Sequence, residues 1–253
     1  SALSPSENAH LPSDTPPLNA MLLAAGRGER MRPLTDETPK PLLKVHERAL
    51  LDWHVAALLR DGVNGLVINT AWLGDHIPQH LNAEWTALAA QQRLHYSHEA
   101  REFGHALETA GGIATALPLL GNAPFLVVNG DVLTDIDFKA AFAAAEALQA
   151  GNLLAHLWLV DNPPHNSSGD FALQDNGKVA SDTAAGHALT FSGMGVYQPA
   201  LFRHTPRHQP AKLAPLLREA MNESRVSGSR HAGLWLDVGT VERLAEADAL
   251  VQS

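Results

Sequence analysis

Glycines and arginines alternate in residues 23–35, LAAGRGERMRPLT, directly after a short apolar stretch. Because Gly26 and Gly28 carry no Cβ, the backbone can approach a bulky anion closely and turn its N–H groups towards it. Three cations accompany these glycines: Arg27, Arg30 and Arg32. The segment therefore predicts a phosphate-binding turn, and the alternative is a plain glycine turn with solvated arginines.

Lys40 follows this turn in the sequence TPKPLL. Pro41 disfavours helical geometry at the residue before it, and the rings of both flanking prolines stiffen the segment. A lysine on a stiff loop beside an arginine-rich turn is well placed to hold a phosphate. The alternative is an ordinary surface lysine.

Two aspartates end apolar segments, Asp131 in PFLVVNGD and Asp237 in GLWLDVGT. The carboxyl edge of an open parallel sheet is where ligands bind. A carboxylate there, without a cluster of cysteines or histidines, suits a hard cation such as Mg²⁺. Each aspartate alone could instead form a turn or cap a helix. Two of them beside a phosphate-binding turn favour a metal site.

The elements that must position these residues alternate between strand and helix up to residue 160. The predicted strands are LNAMLLAA, GLVIN, RLHYSHE, PFLVV and NLLAHLWLV, and the predicted helices cover residues 49–61, 109–117 and 137–150. Buried strands separated by helices of this length predict a parallel sheet that is covered on both faces.

The pattern changes after residue 160. A hairpin is predicted around residues 175–177, and the further elements are the strands ALTFSGMGVY and HAGLWLDV and the helices KLAPLLREAM and TVERLAEADALV. The whole predicts one α/β domain over residues 18–253, Rossmann-like, with a mixed, mostly parallel sheet flanked by helices. Residues 1–17 are rich in Ser and Pro and are predicted to be a disordered extension.

Composition narrows the function classes. The chain has 253 residues with 18 Lys plus Arg against 27 Asp plus Glu, a net charge of −9, which argues against a broad nucleic-acid-binding face. The absence of cysteine excludes disulfides, thiolate zinc sites and cysteine nucleophiles. No apolar run reaches the roughly 18 residues that a membrane span needs. We therefore expect a cytoplasmic protein with no membrane and no nucleic-acid partner.

Residues 26–33 resemble the signature G-x-G-x-R-[ML]-x-P of the nucleoside-diphosphate-sugar pyrophosphorylases, the sugar-1-phosphate nucleotidyltransferase family. The resemblance runs from about Asn19 to the end of the chain. It implies the nucleotide-diphospho-sugar transferase fold, with a nucleotide-binding half over residues 18–135 and a sugar-binding half over residues 136–253. It also implies transfer of a nucleoside monophosphate from an NTP to a sugar 1-phosphate, with Mg²⁺ as cofactor and release of pyrophosphate.

The same resemblance implies roles for individual residues. Those implied in nucleotide binding are Ala25, Gly26, Gly28, Arg30, Lys40, Glu108 and Gly111. Arg30 and Lys40 are the implied catalytic residues, since they bind and polarise the phosphates. The implied metal ligands are Asp131 and Asp237, and the implied sugar-binding residues are Asn129, Asp170, Gly193 and Lys212. The base-reading segment is implied at residues 107–113, LETAGGI, where Ala110 stands in place of an expected glycine.

Several stretches resemble the short members of this family that use UTP and N-acetylmuramate 1-phosphate in peptidoglycan recycling. These stretches are NTAWLGDHI, LPLLGNAPFLVVNGD, LVDNP, GDFAL, TFSGMGVY, KLAPLLREAM and WLDVGTVERLAEA. They imply that substrate pair. Alternatives within the reaction class are GTP with mannose 1-phosphate and CTP with a phospho-alcohol.

Two alternatives lie outside the reaction class. A non-catalytic nucleotide-binding regulatory subunit on the same fold needs a base pocket but not both metal carboxylates, so retention of Asp131 and Asp237 counts against it. A dehydrogenase that binds a dinucleotide is disfavoured because Met31 stands where the fingerprint has its third glycine.

Overall fold

The computed structural model describes residues 16–99 and 107–252. The predicted disordered extension, residues 1–17, therefore lies outside the described residues except for its last two positions. Within the described ranges, no helix combines the length and apolarity that crossing a membrane requires.

Strands and helices alternate through the first two-thirds of the chain, as predicted. In chain order the described strands are β1 (Ala20–Leu23), β2 (Lys44–Val45), β3 (Arg48–Ala49), β4 (Leu66–Thr70), β5 (Leu94–His98), β6 (Phe125–Asn129), β7 (Val132–Thr134), β8 (Ala155–Val160), β9 (Phe171–Leu173), β10 (Val179–Ala180), β11 (His187–Tyr197), β12 (Val226–Arg230) and β13 (Trp235–Asp237). The α-helices are α1 (Leu50–Arg60), α2 (His76–Glu84), α3 (Thr86–Ala90), α4 (Glu108–Leu120), α5 (Ala140–Ala150), α6 (Leu213–Asn222) and α7 (Val241–Gln252).

A nine-stranded mixed sheet forms the centre of the domain. Strands β6, β1, β4 and β5 are mutually parallel and adjacent, so their carboxyl ends share one edge. The long strand β11 runs antiparallel to β6, β8 and β9, and β12 joins β8 in parallel. The sheet is thus parallel across β6, β1, β4 and β5 and largely antiparallel around β11.

Helices cover both faces of the sheet, and its central strands are therefore buried on both sides. Alternate side chains of β1 point to opposite faces: Ala20 and Leu22 pack with residues of α1 and α5, while Met21 packs with residues of α4 and α6. All five residues of β4 are buried. This arrangement confirms the predicted α/β fold with a sheet flanked by helices.

Three departures from the predicted elements affect the site. Strand β12, with the sequence VSGSR, carries too few apolar residues for its pattern to indicate a strand. The predicted strand HAGLWLDV contracts to β13, which leaves the nine-stranded sheet and pairs with the short strand β7. Strand β11 has an irregular register between Phe191 and Gly195.

Candidate active site

The pairing of β7 with β13 brings the two aspartates predicted as metal ligands together. Asp237 lies opposite Val132, and the N–H of Val238 donates to the carbonyl oxygen of Asp131 over 2.8 Å. Both carboxylates are half-buried. The antiparallel ladder therefore carries one aspartate from each half of the chain to the carboxyl edge of β6.

Lys40 reaches the first of these aspartates. Its Nζ lies 2.9 Å from Asp131 Oδ2, and the lysine is only 7% exposed. A 3-10 turn, Lys40–Leu42, directs this side chain inward, with Pro39 and Pro41 on either side. The stiffness that the prolines impart thus places the ammonium group over the carboxylate rather than in solvent.

Two arginines surround the second aspartate. Arg243 Nη1 lies 3.2 Å from Asp237 Oδ2. A Cβ built on Gly239 would lie 3.2 Å from both Arg30 Nη2 and Asp237 Oδ1, so the guanidinium of Arg30 reaches the turn after β13. Sequence reasoning identified Arg30 but missed Arg243, whose only signal was a cation six positions after the aspartate, in the first turns of α7.

The two glycines of the first turn serve different purposes. Gly28 has φ of 69°, and a Cβ there would lie 2.9 Å from Thr35 Cγ2 and 3.1 Å from Lys40 Cβ. It is therefore required by the packing of the turn against Lys40. Within residues 16–99 and 107–252, no heavy atom beyond the chain neighbours of Gly26 lies within 4 Å of a Cβ built there, so Gly26 borders open space.

Arg27 and Arg32 are held by the protein itself. The Arg27 guanidinium stacks 3.7 Å from the ring centroid of Trp72, and its Nη2 lies 3.5 Å from Asp36 Oδ1. Arg32 pairs with the same carboxylate over 2.8 Å. Within the described residues, Arg30 alone of the three arginines has no carboxylate partner, which leaves its charge free for a ligand.

Two adjoining cavities open at this edge of the sheet. The smaller, of about 290 Å³, is lined by Leu23, Ala25, Gly26, Asn69, Glu99, Glu108, Thr109, Asn129 and Asp131. The larger, of about 740 Å³, includes all four residues predicted to bind the sugar, Asn129, Asp170, Gly193 and Lys212, together with Asp237. Glu108 and Asn129 line both cavities, so the two spaces meet between β6 and α4.

Asn129 lines both cavities, and Gly193 packs against it from the side of the larger one. Asn129 Oδ1 accepts the N–H of Asp131 over 3.2 Å, which shapes the turn that carries the aspartate. Gly193 has φ of 84°, and a Cβ there would lie 2.8 Å from the Cβ of Asn129. The register irregularity of β11 thus lets its backbone pass close to Asn129.

The other two residues predicted for the sugar differ in their engagement. Asp170 is committed to the protein, because its Oδ1 accepts from Asn166 Nδ2 over 3.0 Å and its Oδ2 accepts from the Phe191 N–H over 2.9 Å. Lys212 is exposed at the N-terminus of α6. It makes no ion pair with the residues that the structure describes.

Gly111 does not line either cavity in the described part of the chain. Its N–H donates to the carbonyl oxygen of Ala211 over 3.1 Å, and its Cα packs against the carbonyl oxygen of Gln209. In the predicted base-reading segment, Glu108 and Thr109 border the open space, while Gly111 joins α4 to the segment before α6.

Sequence reasoning missed two buried polar residues at the smaller cavity. Glu99 is 1% exposed and Asn69 is 3% exposed. Burial raises the pKa of the Glu99 carboxyl, while hydrogen bonds from Leu107 and Asn69 lower that pKa. Each carried only a weak signal, as a polar residue at the end of a predicted strand: Asn69 ends GLVIN and Glu99 ends RLHYSHE.

A third buried polar residue, His54, lies beneath the turn that carries Asp131. It is 3% exposed, and burial lowers its pKa to about 4 against the opposing effect of hydrogen bonds to the backbone of Val132 and Gly130. His54 is therefore neutral at physiological pH and adds no charge beside the aspartates.

The donor set suits a hard cation. Among the described residues, no group of three or more His, Cys, Asp or Glu side chains could hold a metal ion. Asp131 and Asp237 nevertheless place two carboxylates on neighbouring backbone segments, each next to a cation in this structure. Oxygen ligands with the remaining positions left to water and phosphate are what Mg²⁺ prefers.

Residues 19–253 match the family described as Nucleotidyl transferase, so the chain belongs to the nucleotidyl transferase family. The N-acetylmuramate alpha-1-phosphate uridylyltransferase of Neisseria meningitidis serogroup B is 55% identical over 233 residues, 92% of this chain and 98% of the relative. The protein of the same name from Caulobacter vibrioides is 33% identical over 240 residues, 92% of this chain and 96% of its own length.

A solved structure gives the same fold. UDP-glucose pyrophosphorylase complexed with UDP-glucose superposes with a TM-score of 0.73 at 18% identity, covering 93% of this chain and 98% of that chain. The predicted nucleotide-diphospho-sugar transferase fold is therefore confirmed.

Proposed function

We propose that this protein transfers UMP from UTP to N-acetylmuramate 1-phosphate and releases pyrophosphate, as a step of peptidoglycan recycling. The reaction class rests on the convergence of Arg30, Lys40, Asp131 and Asp237 at one sheet edge. The substrate pair rests on the 55% identity to the relative from Neisseria meningitidis, whose name states that activity.

The reaction needs charge neutralisation more than proton transfer. A sugar-phosphate oxygen attacks the α-phosphorus of the NTP and is already ionised at neutral pH, so no general base is required. Two polyanions must instead be aligned and their repulsion offset. Arg30 and Lys40 are placed to offset charge on the α-phosphate and on the departing pyrophosphate. This local positive charge acts within a protein of net charge −9.

Asp131 and Asp237 are the residues that would hold Mg²⁺. Bound there, the ion supplies further neutralisation of phosphate charge. The chain's own part is to keep the two carboxylates adjacent through the β7–β13 ladder, with Asn129 shaping the turn before Asp131.

The cavities suggest where each substrate lies. We assign the nucleotide to the smaller cavity, which is bordered by Ala25, Gly26 and Glu108, and the sugar to the larger one. The junction at Asn129 then lies between the two reacting phosphates. We keep a nucleotide-binding half over residues 18–135 and a sugar-binding half over residues 136–253, with Glu108 and Asn129 of the first half also bordering the sugar cavity. We propose that the enzyme is cytoplasmic.

Lys212 is proposed to recognise the lactyl carboxylate of the muramate sugar. It is the single Lys or Arg among the described residues that line the larger cavity. An exposed ammonium group without an ion pair is available for a carboxylate. Lys212→Ala should lower the ratio of kcat/KM for N-acetylmuramate 1-phosphate over N-acetylglucosamine 1-phosphate by about tenfold, one charge-assisted hydrogen bond. An unchanged ratio would remove this role and leave the substrate assignment standing.

The decisive experiment measures pyrophosphate release with each NTP crossed against a panel of sugar 1-phosphates. We expect UTP with N-acetylmuramate 1-phosphate to give the highest kcat/KM. Preference for GTP with mannose 1-phosphate would replace the substrate pair and keep the reaction class. NTP binding without pyrophosphate release from any pair would favour the regulatory-subunit alternative.

A further inference from the structure

Three hydrogen bonds link the ends of separate elements at the floor of the smaller cavity. The N–H of Ala24, after β1, donates to Asn69 Oδ1 over 2.7 Å. Asn69 Nδ2, in β4, donates to Glu99 Oε1 over 2.9 Å. The N–H of Leu107, just before α4, donates to Glu99 Oε2 over 3.0 Å. Together they form one continuous chain from the glycine turn to the start of α4.

This chain leaves little freedom to either side chain. Both Asn69 and Glu99 are almost fully buried. The amide oxygen and nitrogen of Asn69 and the two carboxylate oxygens of Glu99 each take part in one hydrogen bond of this chain. On its other side, Glu99 contacts α4 so closely that a Cβ built on Gly112 would lie 2.5 Å from Oε1. The glycine at position 112 is therefore explained by the carboxylate that packs against it.

The elements that the chain joins are those bordering the proposed nucleotide pocket. Ala25 and Gly26 directly follow the Ala24 amide, and Glu108 and Thr109 directly follow the Leu107 amide. A shift of Asn69 or Glu99 would consequently change the separation between the glycine turn and the start of α4. That separation sets the width of the cavity.

We propose that Asn69 and Glu99 are a positioning pair that sets the width of the nucleotide pocket through the amides of Ala24 and Leu107. The inference rests on the proposed function, because it assigns the smaller cavity to the NTP. The pair acts through backbone groups and needs no contact with the reacting phosphates.

An exchange of the two functional groups tests the pair. Asn69→Asp sets two carboxylates against each other, and Glu99→Gln sets two amides against each other, so each single variant breaks the middle hydrogen bond or one of its neighbours. The double variant N69D/E99Q restores all three bonds, with the donor and acceptor exchanged only in the middle one. It also keeps the single buried negative charge.

The measurement is the Kd of UTP with Mg²⁺ by titration calorimetry, together with the KM of each substrate. Each single variant should weaken UTP binding at least about tenfold, the scale of a buried hydrogen bond lost with its orientation. The double variant should recover most of that loss, and the KM for the sugar 1-phosphate should stay near the wild-type value. Wild-type UTP affinity in both single variants, or a double variant as weak as the singles, would overturn the inference.

Thr70→Val is the matched control. Thr70 directly follows Asn69 in β4, and His98, the last residue of β5, directly precedes Glu99. Thr70 is fully buried, and its Oγ1 forms a hydrogen bond with His98 Nδ1 over 2.6 Å. It does not line the cavity, so its loss should lower thermal stability without changing the UTP Kd. A control that weakens UTP binding as much as the single variants would show a general effect of strand destabilisation and overturn the inference.

If the single variants do not fold, hydrogen exchange on the wild-type protein still tests the positioning role. The positioning role requires the amide protons of Ala24 and Leu107 to be protected from hydrogen exchange before any nucleotide is added, and rapid exchange at either overturns it. A wild-type protein that binds UTP without releasing pyrophosphate refutes only the proposed transferase activity. Unchanged UTP affinity across the single and double variants refutes only the positioning role of Asn69 and Glu99. A wild-type protein that binds no NTP refutes both.

Discussion

Five charged side chains from five separate segments meet at the carboxyl edge of the sheet. Lys40 contacts Asp131, while Arg30 and Arg243 approach Asp237. Each carboxylate thus already faces a cation before any substrate is present. Because opposite charges a few ångströms apart attract where water is partly excluded, Lys40 and Arg243 help to hold the two carboxylates in place at this edge.

Replacing either aspartate tests the proposed metal site. We expect Asp131→Asn and Asp237→Asn each to reduce kcat by about 100-fold or more, because a principal electrostatic stabiliser is lost, while UTP still binds. Steady-state kinetics at saturating Mg²⁺ measure the effect. Asp161→Asn is the control, since that exposed carboxylate only pairs with Arg230. Near wild-type turnover of either variant would exclude its aspartate as a required ligand.

The arginines of the glycine turn should differ in their contribution. Lys40→Ala and Arg30→Ala should each lower kcat by about 100-fold. Arg27→Ala should leave kcat near the wild-type value and instead lower the free energy of unfolding by about 1 kcal/mol, because its guanidinium stacks on Trp72. Kinetics and urea unfolding on the three variants separate these effects. Equal kinetic losses would mean that the total charge of the turn matters and not its geometry.

At the scale of elements, the site residues lie on a short turn and on a short two-stranded ladder, whereas the nine-stranded sheet and its helices form the core of the fold. The glycine turn after β1 has a left-handed residue at Gly28 and an open position at Gly26. The two-stranded ladder of β7 and β13 stands apart from the nine-stranded sheet. Both features let backbone and side chains reach over the carboxyl edge while the parallel strands β6, β1, β4 and β5 keep a continuous register.

The two glycines of the turn give opposite outcomes when replaced by alanine. Gly26→Ala should keep the free energy of unfolding or raise it by about 0.4–1 kcal/mol, because no protein atom opposes the new Cβ and the unfolded chain loses freedom. The same Cβ projects into the space assigned to the nucleotide. UTP binding should therefore weaken by about tenfold in calorimetry.

Gly28→Ala should instead destabilise the fold by more than about 1 kcal/mol, since a left-handed backbone and contacts with Thr35 and Lys40 both oppose the Cβ. Gly177→Ala is its control, with φ of 82° and no atom within 4 Å of the Cβ. The difference in unfolding free energy between these two variants isolates the contact. A Gly26→Ala protein with normal UTP affinity would contradict the placement of the nucleotide.

At the scale of the whole molecule, two histidines among the described residues couple folding to pH through their burial. Burial lowers the pKa of both His54 and His156 from 6.5 to about 4. Between these values the unfolded chain binds a proton at each position and the folded chain does not. Stability is therefore greatest above pH 6.5 and is lost as the pH falls towards 4. The raised pKa of Glu99 acts in the opposite direction.

A variant of His156 isolates one of these protons. The ring bonds the hydroxyls of Ser227 and Ser229 over 2.8 and 3.1 Å, and Gln can keep one of these bonds. His156→Gln should reduce the slope of unfolding free energy against pH by about one proton between pH 4.5 and 6.5. Urea unfolding at a series of pH values measures it, with the exposed His204→Gln as control. An unchanged slope in the first variant, or an equal reduction in the second, would contradict burial as the cause.

Local pattern determined the element order and the fold class. Apolar runs such as GLVIN and PFLVV are buried on both faces, and only parallel strands covered by helices meet that requirement. Strand β12 escaped prediction because VSGSR takes its strand conformation from pairing with β8 and not from its own side chains.

The residue types of the site could likewise be read along the chain, because phosphate and Mg²⁺ demand particular groups. Lys40, Asp131 and Asp237 were predicted from type and neighbourhood, whereas the family resemblance distinguished Arg30 from Arg27 and Arg32. The roles of all four stay predictions. The tertiary structure alone decided three further features: the meeting of these residues at one edge, the addition of Arg243, and the hydrogen bonds that link Asn69 to Glu99. The physical reason is that a hydrogen bond or an ion pair depends on distances of about 3 Å between side chains, and sequence spacing does not determine such distances between segments that only the folded sheet brings side by side.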